Sequence, residues 1–193
     1  MSADPIDFAA APTVLAPEGW TVADVDALPD REGVRHELVD RVPKVTTPAR
    51  GRHQTATRRV ANILEATAPS GYAVFEGVGV VLAPDQRPIP DVLVLRDTSL
   101  DSELFNFPAD LVVLAAEVVS PSTRSTDRFG KPALYGQAGI PCYLRVELDP
   151  VHVVAYLLGA DGVYEEARRA EPGQIMTLEE PFPISIDPAA LVR

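Results

Sequence analysis

Asp91, Glu117 and Lys131 follow one another along this 193-residue chain as carboxylate, carboxylate and amine. Asp91 comes after Pro90 at the mouth of "VLVLR", where Asp commonly caps a strand end or turn. Glu117 is harder to accommodate. It lies inside "LVVLAAEVV", where alternation puts Leu111, Val113, Ala115 and Glu117 on one face and Val112, Leu114, Ala116 and Val118 on the other. Both faces are apolar, which predicts a central strand, and a buried ionised carboxylate there must be paired or bind a metal. The alternative is a Glu at the strand's open end, reaching water. Lys131 sits near the start of a helix whose first turn holds Pro132, a position that tolerates proline. Taken singly, a solvated lysine is the commoner outcome. Taken together, two carboxylates on adjacent strand ends offer oxygen ligands to Mg²⁺. A nearby amine can then offset charge developing on a phosphate.

The elements that must position these groups can be read from periodicity. Residues 1–18 read as a poorly ordered arm, and 19–193 as one domain. "WTVADVDALPD" predicts a short helix with Thr21 as N-cap and Pro29 beyond its end. "HELVDRVPKVTT" predicts a small hairpin turning at Asp40-Arg41. In "GRHQTATRRVANILEATAPSG", Val60, Ile63, Leu64 and Thr67 share a helical face, and Pro69-Ser70-Gly71 stops it. Strands follow at "YAVFEGVGVVLA", "DVLVLR" and "LVVLAAEVV", then a helix near "KPALYGQAG". "CYLRVEL" and "VHVVAYLL" come next, joined at Asp149-Pro150; "GVYEEARR" reads as an edge strand and the proline-rich end as an irregular tail. This order predicts an α/β or α+β fold with a mixed sheet. The step from "LVVLAAEVV" to "CYLRVEL" is expected to be a parallel crossover.

Composition narrows the class. Hydrophobic residues make up 46% of the chain, enough for a folded core. No apolar run approaches the ~20 residues of a membrane span, no signal pattern opens the chain, and one cysteine excludes an intrachain disulfide. The expected compartment is the cytoplasm, without membrane association. The net charge of −11 argues against nucleic acid, yet its distribution is uneven. Residues 1–30 hold six acids and no base; residues 31–59 hold eight bases and three acids. Screening limits each charge to ~10 Å, so a basic island in an acidic chain can still meet phosphate.

"HELVDRVPKVTTPARGRHQ", "IPDVLVL" and "EVVSPSTRSTDRFGKPALYGQAGIPCYLRVE" resemble the Uma-type restriction endonucleases of the PD-(D/E)xK nuclease superfamily, over about Trp20 to Leu191. The resemblance implies a restriction endonuclease-like core, a mixed central sheet flanked by helices. It also implies phosphodiester hydrolysis dependent on Mg²⁺ (Mn²⁺ as a substitute), a nucleic-acid substrate, DNA first, and a homodimer. By the same resemblance Asp91 is the motif aspartate, Glu117 the motif acid and the Val118 carbonyl a further metal ligand. The motif lysine belongs two residues after Glu117, where Val119 stands, so Lys131 on the next helix is nominated. Glu37 matches a family acid placed near the metal, and His53 a histidine at the start of the next helix. At Arg41-Val42-Pro43 the chain departs from the family's Gly-Glu-apolar pattern, which touches no proposed ligand.

Other chemistries fit less well. His36, His53 and His152 lack zinc-site spacing, and Ser120 and Ser122 lie in no Gly-x-Ser-x-Gly elbow. Cys142 reads as buried and inert, and Tyr135 as a packing residue or a partner that orients Lys131. Two further functions stay open: a nucleic-acid-binding or interaction module that keeps the fold without turnover, and a hydrolase of small phosphodiesters.

Overall fold

The computed structural model describes residues 19–29, 34–46, 51–96 and 106–193. The arm expected over 1–18 lies outside them. The architecture is mixed α/β with few helices, and its frame is a six-stranded mixed sheet of order β10-β9-β8-β7-β5-β3. These strands are β3 (Tyr72–Glu76), β5 (Val92–Arg96), β7 (Val112–Val119), β8 (Cys142–Leu148), β9 (Val151–Leu158) and β10 (Tyr164–Ala170). β7 and β8 pair in parallel, as the crossover predicted, and the other neighbours pair antiparallel. β7 is buried along its whole length, which explains why both of its faces are apolar.

The sheet is covered on both sides. Helix α2 (Gly51–Thr67) turns Ala56, Val60, Ala61 and Leu64 onto one face, with the C-terminal segment beside it. Helix α3 (Lys131–Gln137) lies on the other face, where Tyr135 packs near Leu93, Ala115 and Tyr143. α2 ends where Pro69 follows and Gly71 turns left-handed at φ 95°. Helix α1 (Val22–Asp26) has the predicted Thr21 cap, with Asp24 returning a bond to the Thr21 backbone at 2.8 Å.

The hairpin of β1 (Arg35–Val39) and β2 (Val42–Thr46) turns at Asp40 and Arg41, both at positive φ. It is fixed to the body at Leu38, which exchanges backbone bonds of 3.0 and 2.7 Å with Arg87. Leu38 faces Pro43 across the ladder, and Leu38 directs its backbone groups outward. Pro43 therefore occupies an outward-facing position of β2 with no N–H to offer. That blunts the edge against strand addition.

Three expectations need correction. "YAVFEGVGVVLA" is two strands rather than one, because the chain bends at Gly77 (φ 60°); β4 (Gly79–Val81) then pairs in parallel with β6 (Asn106–Pro108). The proline-rich end is not irregular. β11 (Met176–Leu178) and β12 (Ile184–Ile186) pair, a 3-10 turn follows at Pro188–Leu191, and Met176, Ile184, Ile186 and Leu191 join the core under α2. The alternation along β7 slips once. Leu114 pairs with Val94 but Val112 with Leu95, a bulge that puts Val113 on the α2 side while Ala115 faces α3.

Candidate functional site

Three pieces of the fold converge at the end of β7. Asp91 precedes β5, whose first residue, Val92, pairs with Ala116, so the Val118 N–H has no ladder partner on that side. Asp91 Oδ2 accepts it at 2.7 Å and also lies 3.2 Å from His53 Nε2. His53 comes from the first turn of α2, with Thr57 Oγ1 3.4 Å from its Nδ1. Burial lowers the His53 pKa, but Asp91 and the Val118 backbone outweigh it and the net direction is upward.

The second part is centred on Lys131. Glu117 is 2% exposed and its Oε1 lies 2.9 Å from Lys131 Nζ. Glu37, from the hairpin, places Oε1 3.3 Å from the same amine and accepts the Ile89 N–H at 2.9 Å. Lys131 also donates to the Ile89 carbonyl at 3.1 Å. Residues 89–91 thus join the two halves. Tyr135, one turn after Lys131, donates its hydroxyl to Glu117 at 2.7 Å, so it orients the acid and not the amine. Burial pushes the Glu117 pKa well up, opposed by Lys131. The Lys131 pKa is raised as well: burial disfavours its charge, but Glu117, Glu37 and Asp127 more than compensate and hold it protonated.

Asp127 is the residue that reading the sequence missed as a site member. It lies in a π-helical turn (Thr126–Gly130) that leads directly into α3, is 2% exposed, and has Oδ1 4.0 Å from Lys131 Nζ. That oxygen is buried without a hydrogen-bond partner. Burial, opposed by Lys131 and Thr123, raises its pKa to about 6. Its backbone carbonyl accepts the Tyr143 hydroxyl at 2.5 Å, which locks the turn against the sheet. The only signal in the sequence is its place four residues before Lys131, inside a run whose mixed charges look solvated.

A family comparison bears on this arrangement. The Uma2 model, described as a putative restriction endonuclease, matches residues 22–190. The chain belongs to the Uma2 family. Its fold is similar to the crystal structure of a putative nuclease belonging to DUF820 from Anabaena variabilis, with a TM-score of 0.70 at 14% identity, over 90% of this chain and 99% of that one. No curated protein matches the chain.

In this Uma2 chain the sequence-nominated residues Asp91, Glu117, Val118, Lys131, Glu37 and His53 all meet at one place. The donors suit a hard cation such as Mg²⁺, since all candidate ligands are oxygens. Among the described residues no group of three or more His, Cys, Asp or Glu is arranged to hold a metal. Asp91 uses Oδ2 and Glu117 uses Oε1 internally, which leaves one oxygen on each. Two carboxylates are the usual protein share of an open Mg²⁺ site, water and substrate phosphate completing it. Val118 also points its carbonyl to the Asp91 side, because N–H and C=O of one strand residue face the same edge. The donor set fits an open site and not a closed cage.

The basic window is dispersed by the fold. Arg31 and Arg50 lie outside the described residues, Arg35 bonds the Gly77 carbonyl, and Arg41 pairs with Asp85. Arg52 and Arg59 bond the carbonyls of Leu148 and Ala190. Lys44 and Arg58 are exposed. Cys142 is buried in β8 as expected, and burial pushes its thiol up to about 12.

Proposed function

We propose that the protein is a metal-dependent endonuclease acting on nucleic acid, DNA first. The observation that carries this reading is the buried amine of Lys131 surrounded by Glu117, Glu37 and Asp127, one strand from Asp91. Three acidic groups about one cation leave an excess of negative charge in a poorly solvated place. A second cation would relieve it. Mg²⁺ held by Asp91, Glu117 and the Val118 carbonyl would supply Lewis-acid stabilisation and an acidified water. Lys131, held protonated, is suited to orienting water and stabilising phosphate charge, and unsuited to removing a proton. Glu37 holds that amine and the 89–91 segment in place. His53 steadies Asp91.

A second reading has its own support. Glu117 and Asp91 each find protein partners without a metal, and the chain is strongly acidic, both of which suit a non-catalytic module. Cleavage of supercoiled plasmid in Mg²⁺ and in Mn²⁺ separates the two. Metal-dependent nicking is expected for the wild type, with a loss of at least ~100-fold in Glu117→Ala and Lys131→Ala. Equal inertness of all three proteins, with no heat of metal binding in calorimetry, would favour the module.

A further inference from the structure

On the α3 side of the sheet, Glu117 has a cross-strand neighbour in Arg145, one strand over in β8. Parallel neighbours in register share a face, so Arg145 projects beside the carboxylate cluster. Beyond it a groove of about 500 Å³ runs between α3 and the β9–β10 end of the sheet. Its floor includes Arg145, Tyr156 and Tyr164, and its rim Arg128, Phe129 and Val163.

One feature of this groove has no structural use, and a second is only partly engaged. Phe129 is 74% exposed, although it stands two residues before Lys131 in the turn that also delivers Asp127. Arg145 lies over the Tyr156 ring at 5.2 Å from the centroid and is largely buried, so its guanidinium has a fixed direction. Its Nε forms an ion pair with Glu147 Oε1 at 3.3 Å but makes no aligned hydrogen bond. The Glu147 carboxylate is taken up by the two-pronged contact from Arg128 at 2.7 and 2.9 Å. Asp161 accepts the Val163 N–H, closing the β9–β10 turn. Among the described residues no other carboxylate pairs with Arg145.

We propose that the groove holds an unpaired nucleobase against Phe129, with the adjoining phosphate at Arg145. This rests on the nuclease reading and makes its substrate a single strand, or a duplex opened at the cut. An aromatic ring beside a fixed guanidinium is the pairing that single-strand binders use for base and backbone together. Both groups lie beside the cluster that would cut.

The test uses the whole chain in EDTA, where no cleavage intrudes. Anisotropy with a labelled 12-nucleotide single-stranded DNA is expected to show roughly 5- to 150-fold weaker binding by Phe129→Ala. Arg145→Gln is expected to weaken binding and flatten its salt dependence. Phe129→Trp, with unlabelled oligonucleotide, should lose tryptophan fluorescence as the base stacks. Affinity unchanged in Phe129→Ala, with no quenching in Phe129→Trp, overturns the proposal. If Phe129→Ala instead turns a dimer into a monomer in sedimentation with affinity unchanged, the groove is a self-interface and the proposal is again overturned. Plasmid nicking that needs Lys131, alongside such a result, leaves the nuclease standing without the groove. Quenching and tight binding in a protein that never nicks leaves the groove standing without the nuclease.

Discussion

Asp127→Asn is expected to stabilise the protein above pH 6, by up to about 3 kcal/mol. Burial holds the folded-state pKa of Asp127 at about 6, against an ordinary carboxylate value near 3.8. Between those values the folded protein keeps a proton that the unfolded chain has lost. Stability is therefore highest at the acid end of this window, falls as pH rises through it, and carries the full cost above pH 6. Asn removes the ionisation and with it the cost, less whatever the bond to Thr123 contributes. Urea denaturation in EDTA at pH 4.0 and pH 7.5 reads the difference directly. The variant should gain at pH 7.5 and differ little at pH 4.0. An equal shift at both pH values would mean that Asp127 is not an ionising cost. That cost falls beside Lys131, so Asp127 does not serve the stability of the fold at neutral pH.

Lys131→Met is expected to act in the opposite direction, lowering stability by about 3–5 kcal/mol at pH 7.5, because the acids around it lose their cation. Protonation of those acids relieves the repulsion, so the deficit should shrink as pH falls. The double variant Glu117→Gln/Lys131→Met removes a charge of each sign from the 2.9 Å pair and should recover part of the loss. Denaturant midpoints of the wild type, both single variants and the double variant complete the cycle. If the double variant is as unstable as the sum of the singles, the two side chains are not energetically coupled and the site is misassigned. Loss of nicking alone could not separate these cases, since either substitution is expected to abolish it.

Much of this was legible in the sequence because period and polarity agreed there. The apolar run of β7 predicted a central strand, and Glu117 within it announced a partner before that partner was seen. α2 followed from the spacing of Val60, Ile63 and Leu64, and the hairpin from the polar turn at Asp40 and Arg41. Asp127 escaped because its burial depends on a π-helical winding. Nothing in "STRSTDRFG" distinguishes that winding from a solvated loop. The bulge in β7 escaped because Val112 and Val113 are the same residue, so no change of polarity marks the slip. The C-terminal segment was misread because its prolines suggested irregularity, whereas Ile184 and Ile186 alternate with exposed Ser185 as a strand requires.

The route by which Lys131 reaches Glu117 bears on how such sites can drift. The amine arrives from a helix across a winding turn, while Val119, two residues after the acid, lies buried at the end of the strand. What the chemistry holds constant is a point in space, and the chain can reach that point by more than one road. On the nuclease reading, the number of residues between acid and amine is not what the site requires, only the place the charge reaches. A pattern written as a fixed spacing would pass over this chain; one written as a carboxylate with an amine at its side would not.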